Sequence, residues 1–380
     1  MNRKENLDMA EKKLHIAMMG HKHMLSREGG IEIVVKELAT RMSTRGHQVV
    51  VYDRSSGHVS GGEFEKRSEY NGVHIIPVWT VERKGLAAMT SSMAAAWKAT
   101  WSKADIVHIH AEGPAAMCWL PKMRRKKVVV TIHGLDWQRA KWSGFASRYI
   151  KYGEKQAVEK ADIIIVLSRN VQDYFKKTYN RETEYIPNGV SRPESIPAED
   201  INELWGLEKD SYVLFLGRIV PEKGLRYLLE AWGQIITDKK LVIAGGSSDT
   251  HDFMDELKRI AGNNVIFTGF QQGRVLEELY SNAYIYCLPS DLEGMPLSLL
   301  EAMSYGNCCL VSDISECVEV VGDNAAIFAH GNVDDLKKVM QDLLQTPDRV
   351  EKYRKVAAEY IVSKYNWEDV VDKTLELYRR

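Results

Sequence analysis

Two cations in the second half of the chain stand in a segment suited to holding a diphosphate. Arg218 and Lys223 lie in a short segment bounded by glycines, Gly217 to Gly224. The segment follows an apolar run, Tyr212 to Leu216, and leads into a helical pattern. Cations beside a helix N-terminus attract phosphate oxygens, because the dipole and the free N–H groups there favour negative charge. Surface exposure explains either cation alone, but both in one such loop indicate a phosphate site.

Two glutamates flank a predicted helix start in the second half of the chain. Glu293 lies in a loop after the apolar segment YIYCLPS, and Glu301 is predicted two turns inside the next helix. The residues between them that open this helix are Gly294, Met295, Pro296 and Leu297. Amides at such a start suit phosphate oxygens, and Pro296 suits an early helical position. Glu301 has the residue type that accepts hydrogen bonds from a ribose diol. The alternatives are a dipole partner for Glu293 and a solvated helix face for Glu301.

Two loops of the first half carry further candidates. The segment Gly20 to Ile31 ends in Gly29 and Gly30 at the start of a helical pattern, where backbone N–H groups can approach a phosphate. It is not a Walker sequence, and a flexible turn is an equal alternative. His133 follows the apolar run Val128 to Val130 at the carboxyl end of a predicted strand. An imidazole there can point into a cleft, or it can simply pack against the strand end.

The spacing of apolar residues places these loops on a repeated pattern of strands and helices. In the first half, short runs such as Ile106 to Ile109 and Ile163 to Leu167 alternate with helical segments such as Ile31 to Arg45. The second half repeats the pattern, for example at Lys240 to Ala244 and Cys308 to Val311. The alternation predicts an α/β fold with two Rossmann-like, doubly wound parallel sheets. Such sheets bind ligands at the carboxyl ends of their strands.

Length and composition bound the class of protein. A chain of 380 residues exceeds one hydrophobic core, so we predict two domains, linked near the proline-rich segment Ile186 to Pro197. No apolar run approaches the roughly 18 to 20 residues of a membrane span. The polar start lacks the apolar core of a signal peptide. The five cysteines show neither CxxC nor zinc spacing, which predicts buried thiols in a reducing cytoplasmic compartment.

The motifs together resemble those of the family-4 retaining glycosyltransferases, which have the GT-B architecture. The loop from Gly217 to Gly224 and the pair of glutamates eight residues apart carry the resemblance, together with His133 and the glycine pair of the first half. It covers nearly the whole chain and is closest to bacterial enzymes of surface polysaccharide synthesis, including rhamnosyltransferase-like members. It implies an acceptor domain at 1–190, a donor domain at 191–362 and a C-terminal helix at 363–380 that crosses back to the first domain, with a cleft between the domains.

The resemblance also implies roles for the candidates. Arg218 and Lys223 would bind the donor diphosphate, Glu301 the ribose and Glu293 the transferred sugar. Gly29, Gly30 and the amides of residues 294–297 would approach the diphosphate or the sugar, and His133 would contact the sugar near the reacting centre. A nucleoside-diphosphate sugar would be the substrate, with no cofactor and no metal. The acceptor would be a saccharide or a lipid-diphosphate-linked saccharide. A small soluble acceptor, a GT-B sugar-nucleotide epimerase and a binding-only subunit are the alternatives.

Charge is divided unevenly along the chain. Residues 1–190 carry a net charge of +11 and residues 191–380 a net charge of −12. The basic half includes a run of cations from Lys122 to Lys127, and Trp97 and Trp101 lie four residues apart on one predicted helix. Cations beside an aromatic face indicate a peripheral contact with the inner face of the cell membrane. The alternatives are tryptophans in the core and attraction between the two halves. Nothing in the sequence points to nucleic acid.

Overall fold

The computed structural model describes residues 13–55, 67–83, 86–138, 144–246 and 251–380. The strands of the first half are β1 (His15–Met19), β2 (Gln48–Arg54), β3 (Glu69–Tyr70), β4 (Val73–Val78), β5 (Ile106–His110), β6 (Lys127–Ile132), β7 (Ile163–Val166) and β8 (Glu184–Tyr185). The helices of the first half are α1 (Gly30–Thr44), α2 (Leu86–Trp101), α3 (Glu112–Ala115), α4 (Trp119–Met123), α5 (Phe145–Lys160) and α6 (Arg169–Tyr179), with a 3-10 turn at Asp136–Gln138. These strands form one eight-stranded sheet in the order β3-β4-β2-β1-β5-β6-β7-β8. Its strands pair in parallel, except that β3 is antiparallel to β4.

The second half forms a six-stranded parallel sheet in the order β11-β10-β9-β12-β13-β14. Its strands are β9 (Tyr212–Leu216), β10 (Lys240–Ala244), β11 (Val265–Gly269), β12 (Ile285–Leu288), β13 (Cys308–Ser312) and β14 (Ala326–Phe328). Its helices are α7 (Asp200–Trp205), α8 (Leu225–Trp232), α9 (His251–Ile260), α10 (Gly273–Asn282), α11 (Leu297–Ser304), α12 (Ser315–Val321), α13 (Val333–Gln345), α14 (Pro347–Lys364) and α15 (Trp367–Arg379), with a 3-10 turn at Pro221–Lys223. The predicted pair of Rossmann-like sheets is confirmed.

The central strands owe their position to near-continuous apolar sequence. Every residue of β5 and of β13 is buried, as expected for parallel strands covered by helices on both faces. The five cysteines are free and buried and pack as small hydrophobic side chains. None of the helices in the described ranges is long and apolar enough to cross a bilayer.

The last helix, α15, packs on the first half of the molecule. Glu368 on α15 forms ion pairs with Arg41 on α1 and with Arg45, the residue that caps the end of α1. The hydroxyl of Tyr378, also on α15, lies 2.6 Å from Nδ1 of His108 on β5. The end of the chain therefore ties the first sheet to the second half.

Three expectations from the sequence need correction. Glu301 is the fifth residue of α11 and lies about one turn inside the helix, not two, because the helix begins only at Leu297. Pro296 is the N-cap of α11 with extended backbone, not an early helical residue. Trp97 and Trp101 are 57% and 58% exposed, so the interpretation that they belong to the core is wrong.

Candidate functional site

The site candidates lie at the carboxyl ends of strands, where the two sheets meet. Gly294 marks the closest approach, since a Cβ there would stand 1.7 Å from the backbone oxygen of His133. A Cβ on Gly30 would lie 3.2 Å from a side-chain methyl group of Leu297. The backbone N–H of Asn188 also points to the sulfur of Met295, at 3.0 Å. The loop before α11 therefore lies directly against the first half.

Lys223 and Glu293 form an ion pair at the edge of the second sheet. Their side chains are only 12% and 8% exposed, and Ser290 donates a second hydrogen bond to Glu293 at 2.7 Å. Gly224 makes the pairing possible, because its φ is +68° and a Cβ there would stand 1.8 Å from the Pro289 oxygen, so that only glycine fits. The 3-10 turn that carries Lys223 is thereby brought close to the loop that carries Glu293.

Arg218 follows β9 at the same edge of the sheet and is partly buried. Gly217 precedes it, and a Cβ there would lie 3.9 Å from Cε of Lys223, so the two ends of the predicted phosphate loop lie side by side. Gly245 packs against this loop so closely that a Cβ on it would stand 1.8 Å from the Gly217 oxygen. The backbone that leads into Arg218 therefore lies against the Lys223 side chain.

Both carboxylate oxygens of Glu301 are hydrogen-bonded. Tyr280 donates to one oxygen at 3.1 Å, and Arg27 from the first half forms an ion pair with the other. The sequence did not identify Arg27 as a partner of Glu301, from which it is 274 residues away in the chain. The place of Arg27 in the segment from Gly20 to Ile31, which the sequence predicts to approach a phosphate, was the one sequence feature that pointed to it.

Gly29 and Gly30 begin α1, where no side chain caps the helix. Gly29 has extended backbone, and as the N-cap residue it offers no side-chain oxygen to the first N–H groups of α1. Glu32 in the first turn is buried and accepts the backbone N–H of Lys22 at 2.9 Å. This contact holds the loop that precedes the glycine pair.

His133 follows β6 and meets a second histidine that the sequence motifs did not single out. Its Nε2 lies 3.0 Å from Nδ1 of His110, the last residue of β5. Burial and the neighbouring histidines hold the pKa of His110 well below its usual range, and burial lowers the pKa of His108 to about 3. Both rings are therefore neutral. The sequence HIH at a strand end was the signal that could have identified His110.

A buried carboxyl pair holds the loop that follows His133. Glu112 accepts the backbone N–H of Asp136 at 2.8 Å, and Glu154 accepts the indole N–H of Trp137 at 3.1 Å. Burial and the contact with Glu154 raise the pKa of Glu112, so this carboxyl is protonated at neutral pH. Within the described ranges, no three His, Cys, Asp or Glu side chains are grouped in a way that could hold a metal ion.

Two Rossmann-like domains with facing carboxyl edges and a site between them define a GT-B architecture. The family model "Glycosyltransferase Family 4" matches residues 28–192, and the model "Glycosyl transferases group 1" matches residues 198–364. The chain belongs to these family-4, group 1 glycosyltransferases.

Individual proteins agree with this assignment. The chain is 27% identical over 281 residues to an alpha-maltose-1-phosphate synthase of Mycolicibacterium smegmatis, covering 66% of this chain and 72% of that protein. The structure of Anabaena HepE in complex with UDP and glucose superposes with a TM-score of 0.81 at 16% identity, covering 96% and 99% of the two chains. WaaG, a glycosyltransferase involved in lipopolysaccharide biosynthesis, gives a TM-score of 0.76 at 18% identity with the same coverage. The two structural matches establish the fold alone.

Proposed function

We propose that this enzyme transfers a hexose from a nucleoside-diphosphate sugar to a saccharide acceptor, with retention of configuration and without a metal ion. The observation that carries the proposal is the meeting of the Lys223–Glu293 pair and the start of α11 with the backbone of His133. Cations and helix amides on one side and a strand-end carbonyl on the other suit a sugar held beside a diphosphate. The Anabaena protein, whose structure holds UDP and glucose, supports such a donor.

Each residue has a role in this proposal. Arg218 and Lys223 bind the diphosphate, with the amides around residues 294–297 and the start of α1 at Gly29 and Gly30. Glu293 binds a hydroxyl of the transferred sugar while holding Lys223 in place. Glu301 accepts the ribose hydroxyls, which then replace Arg27. The carbonyl of His133, rather than its ring alone, faces the sugar because it lies against Gly294.

The chemistry follows from the charges. The bond from the anomeric carbon to the diphosphate oxygen breaks, which builds positive charge on the sugar and negative charge on the leaving group. Arg218, Lys223 and the helix amides stabilise that negative charge, and preorganised charges of this kind are a large catalytic term. The acceptor hydroxyl attacks the same face and passes its proton to the leaving diphosphate. Contact between the two domains excludes water that would hydrolyse the donor.

We also propose that the acceptor is a lipid-linked saccharide of bacterial surface polysaccharide synthesis, reached at the inner face of the cell membrane. An apolar stripe along α2 supports this, formed by Leu86, Met93, Trp97 and Trp101, which are 37%, 50%, 57% and 58% exposed. They recur at helical spacing and remain uncovered within the described chain. The role of WaaG in lipopolysaccharide biosynthesis is consistent with such an acceptor.

Basic side chains lie beside this stripe. The guanidinium of Arg124 stands 4.6 Å from the ring centre of Trp101, and Met123 on α4 is 70% exposed. Arg125 is exposed as well. Lys126 and Lys127 instead donate to backbone carbonyls of the protein. Indole rings flanked by arginines suit the interface of an anionic leaflet, where each cation adds about 1 kcal/mol.

Vesicle flotation tests the membrane contact. Binding to anionic vesicles should exceed binding to neutral ones and weaken with salt. The double variant Trp97→Ala/Trp101→Ala and the double variant Arg124→Ala/Arg125→Asn should both lose it, asparagine being chosen because residue 125 has positive φ. Ile236→Ala, which removes an exposed apolar side chain of the second half, should bind normally. Equal failure of the wild-type protein on both vesicle types would refute the contact.

The transfer itself is tested with donors. A thermal-shift screen of nucleoside diphosphates and their sugars should find ligands that stabilise by about 2.7 kcal/mol at a hundred times their Kd. Slow release of nucleoside diphosphate, and an anomeric proton coupling in the product equal to that of the donor, would support retaining transfer. Full activity in EDTA is expected. A changed sugar nucleotide without diphosphate release would instead indicate an epimerase.

The second candidate is transfer to a small soluble acceptor, which the name of the mycobacterial relative, a maltose-1-phosphate synthase, favours. Competition decides between the two. Sugar phosphates offered with a donor should give little product, while a lipid-diphosphate saccharide should give much more. The reverse ranking would favour the second candidate.

A further inference from the structure

Two histidine rings meet where strands β5 and β6 end. Nδ1 of His110 lies 3.0 Å from Nε2 of His133, and the two ring centres are 5.3 Å apart. The separation of the two nitrogens is that of a hydrogen bond, so one of them carries a proton and the other accepts it. The direction of that bond decides which ring nitrogen of His133 carries its proton.

The surroundings of His110 restrict the choice. The residue is fully buried, and its Nε2 has no hydrogen-bond partner in the part of the chain that the structure describes. Gly20 packs on its backbone so closely that a Cβ on this glycine would stand 2.1 Å from the His110 oxygen, so the strand end has no room to shift. A neutral ring carries one proton only.

The unpartnered nitrogen fixes the tautomer. With the proton on Nε2, a buried N–H group of His110 would have no acceptor. An unpaired N–H group costs more free energy than an unpaired lone pair. With the proton on Nδ1, that N–H donates to His133 and only an acceptor lone pair is unpaired. We propose that His110 is a positioning residue, whose Nδ1–H donates to Nε2 of His133 and fixes the rotation and tautomer of that ring.

The consequence concerns the transferred sugar and rests on the proposed function. Because Nε2 of His133 accepts from His110, the neutral His133 ring carries its own proton on Nδ1. Its Nε2 lone pair is then occupied, so the ring cannot take up a proton at Nε2. Such a ring orients the sugar without acting as a base, in agreement with proton transfer to the diphosphate.

His108 is a natural control on the same strand. It is also fully buried, but both of its ring nitrogens have partners, Tyr378 at 2.6 Å and Thr131 at 2.7 Å. It thereby joins β5 to β6 and to α15. Substitution of His108 should lower thermal stability while leaving the rate per folded molecule nearly unchanged.

Substitution of His110 distinguishes a role in positioning His133 from a purely structural role. In His110→Asn the side-chain amide can replace Nδ1–H, whereas His110→Leu keeps the volume and removes the donor. We expect His110→Leu to lower kcat on the order of tenfold to a hundredfold with donor KM within about twofold, as a misplaced contact does. His110→Asn should recover most of kcat. Full activity in His110→Leu, or equal loss in both variants, would overturn the proposal.

Nitrogen NMR of the imidazole rings tests the tautomer without any turnover. The ring signals of His110 and His133, assigned from the spectra of His110→Asn and His133→Ala, should show Nδ1–H for both residues in the wild-type protein. A proton on Nε2 of His133 would overturn the proposal even if activity behaved as expected. If no donor is ever turned over, the proposed function fails, while the NMR result still decides the hydrogen bond.

Discussion

The polar groups at the two sheet edges that face each other across the cleft are stabilised in different ways. On the second sheet, Lys223 and Glu293 form an ion pair that is almost fully buried, and Glu301 is paired with an arginine. On the first sheet, one hydrogen bond joins the rings of His110 and His133, and burial keeps His110 neutral. Formal charge thus lies in the Lys223–Glu293 pair and, contributed by the first half, in Arg27. The ends of β5 and β6 instead present the neutral ring of His110 and the carbonyl of His133, groups that would suit sugar hydroxyls under the proposed function.

Removal of the Lys223 charge from the second edge is the most direct test of this difference. Lys223→Ala should lower kcat/KM at least about a hundredfold, because loss of one contact to a developing oxyanion costs on the order of 3 kcal/mol. Stability should fall as well, since Glu293 is left buried without its partner. Steady-state rates normalised to folded protein, with a melting curve, separate the two effects.

Arg226→Ala is the matched control for this variant. Arg226 lies just beyond Lys223 and pairs with Glu256, but half of its side chain is exposed. Its loss should cost below about 1 kcal/mol of stability and leave the rate unchanged. Near-normal turnover in folded Lys223→Ala would mean that the phosphate site lies elsewhere.

The contact between the edges can be tested with two glycines. A methyl group at Gly294 meets the backbone of His133, which cannot move aside, whereas a methyl group at Gly30 meets only the flexible end of Leu297. Gly294→Ala should therefore lower kcat/KM by roughly tenfold to a hundredfold, as displacement of reacting groups does. Gly30→Ala should lower it by only about a fewfold, because one side-chain rotation relieves the contact.

A third glycine serves as the control for both. Gly233 ends α8 with helical backbone, and a Cβ there would meet no atom closer than 3.4 Å. Gly233→Ala should leave both rate and melting temperature close to those of the wild-type protein. Equal rates for Gly294→Ala and Gly30→Ala would show that the closed arrangement is not needed for turnover.

The fold could be predicted further than the site. Apolar runs located the central strands, because buried parallel strands have continuous apolar sequence. The two-residue edge strands β3 and β8 are too short to give any periodicity. The depth of Glu301 was misjudged because the start of α11 depends on Pro296 acting as its cap, a choice between neighbouring positions that proline allows equally.

Residues that act through a distant partner were missed. Arg27 lies in the segment from Gly20 to Ile31 and His110 in the pattern HIH, but neither position shows the partner, Glu301 or His133, that the fold brings to it. The sequence also left open whether Trp97 and Trp101 are exposed or buried. An amphipathic pattern shows that one face is apolar but not whether the protein covers it.

A titration, rather than a loss of rate, sharpens the comparison at the ends of β5 and β6, where buried groups are held neutral. The pKa of Glu112 is raised because the carboxyl is buried and contacts Glu154. Above the ordinary pKa of about 4.3, the unfolded chain releases a proton that the native protein keeps, so the native state binds more protons. Stability contributed by this group is therefore present at low pH and falls as pH rises, by at most about 1.4 kcal/mol per pH unit.

Glu112→Gln keeps an acceptor oxygen for the backbone N–H of Asp136 but cannot titrate. The variant should match the wild-type protein or lie slightly below it near pH 5 and gain on it steadily towards pH 9, as measured by melting temperatures across that range. Glu159→Gln, which alters an exposed residue on the same helix as Glu154, should run parallel to the wild-type curve. If Glu112→Gln also ran parallel, Glu112 would be ionised in the native protein. The loop that follows His133 would then be held by a buried charge, and its contrast with the Lys223–Glu293 pair would be lost.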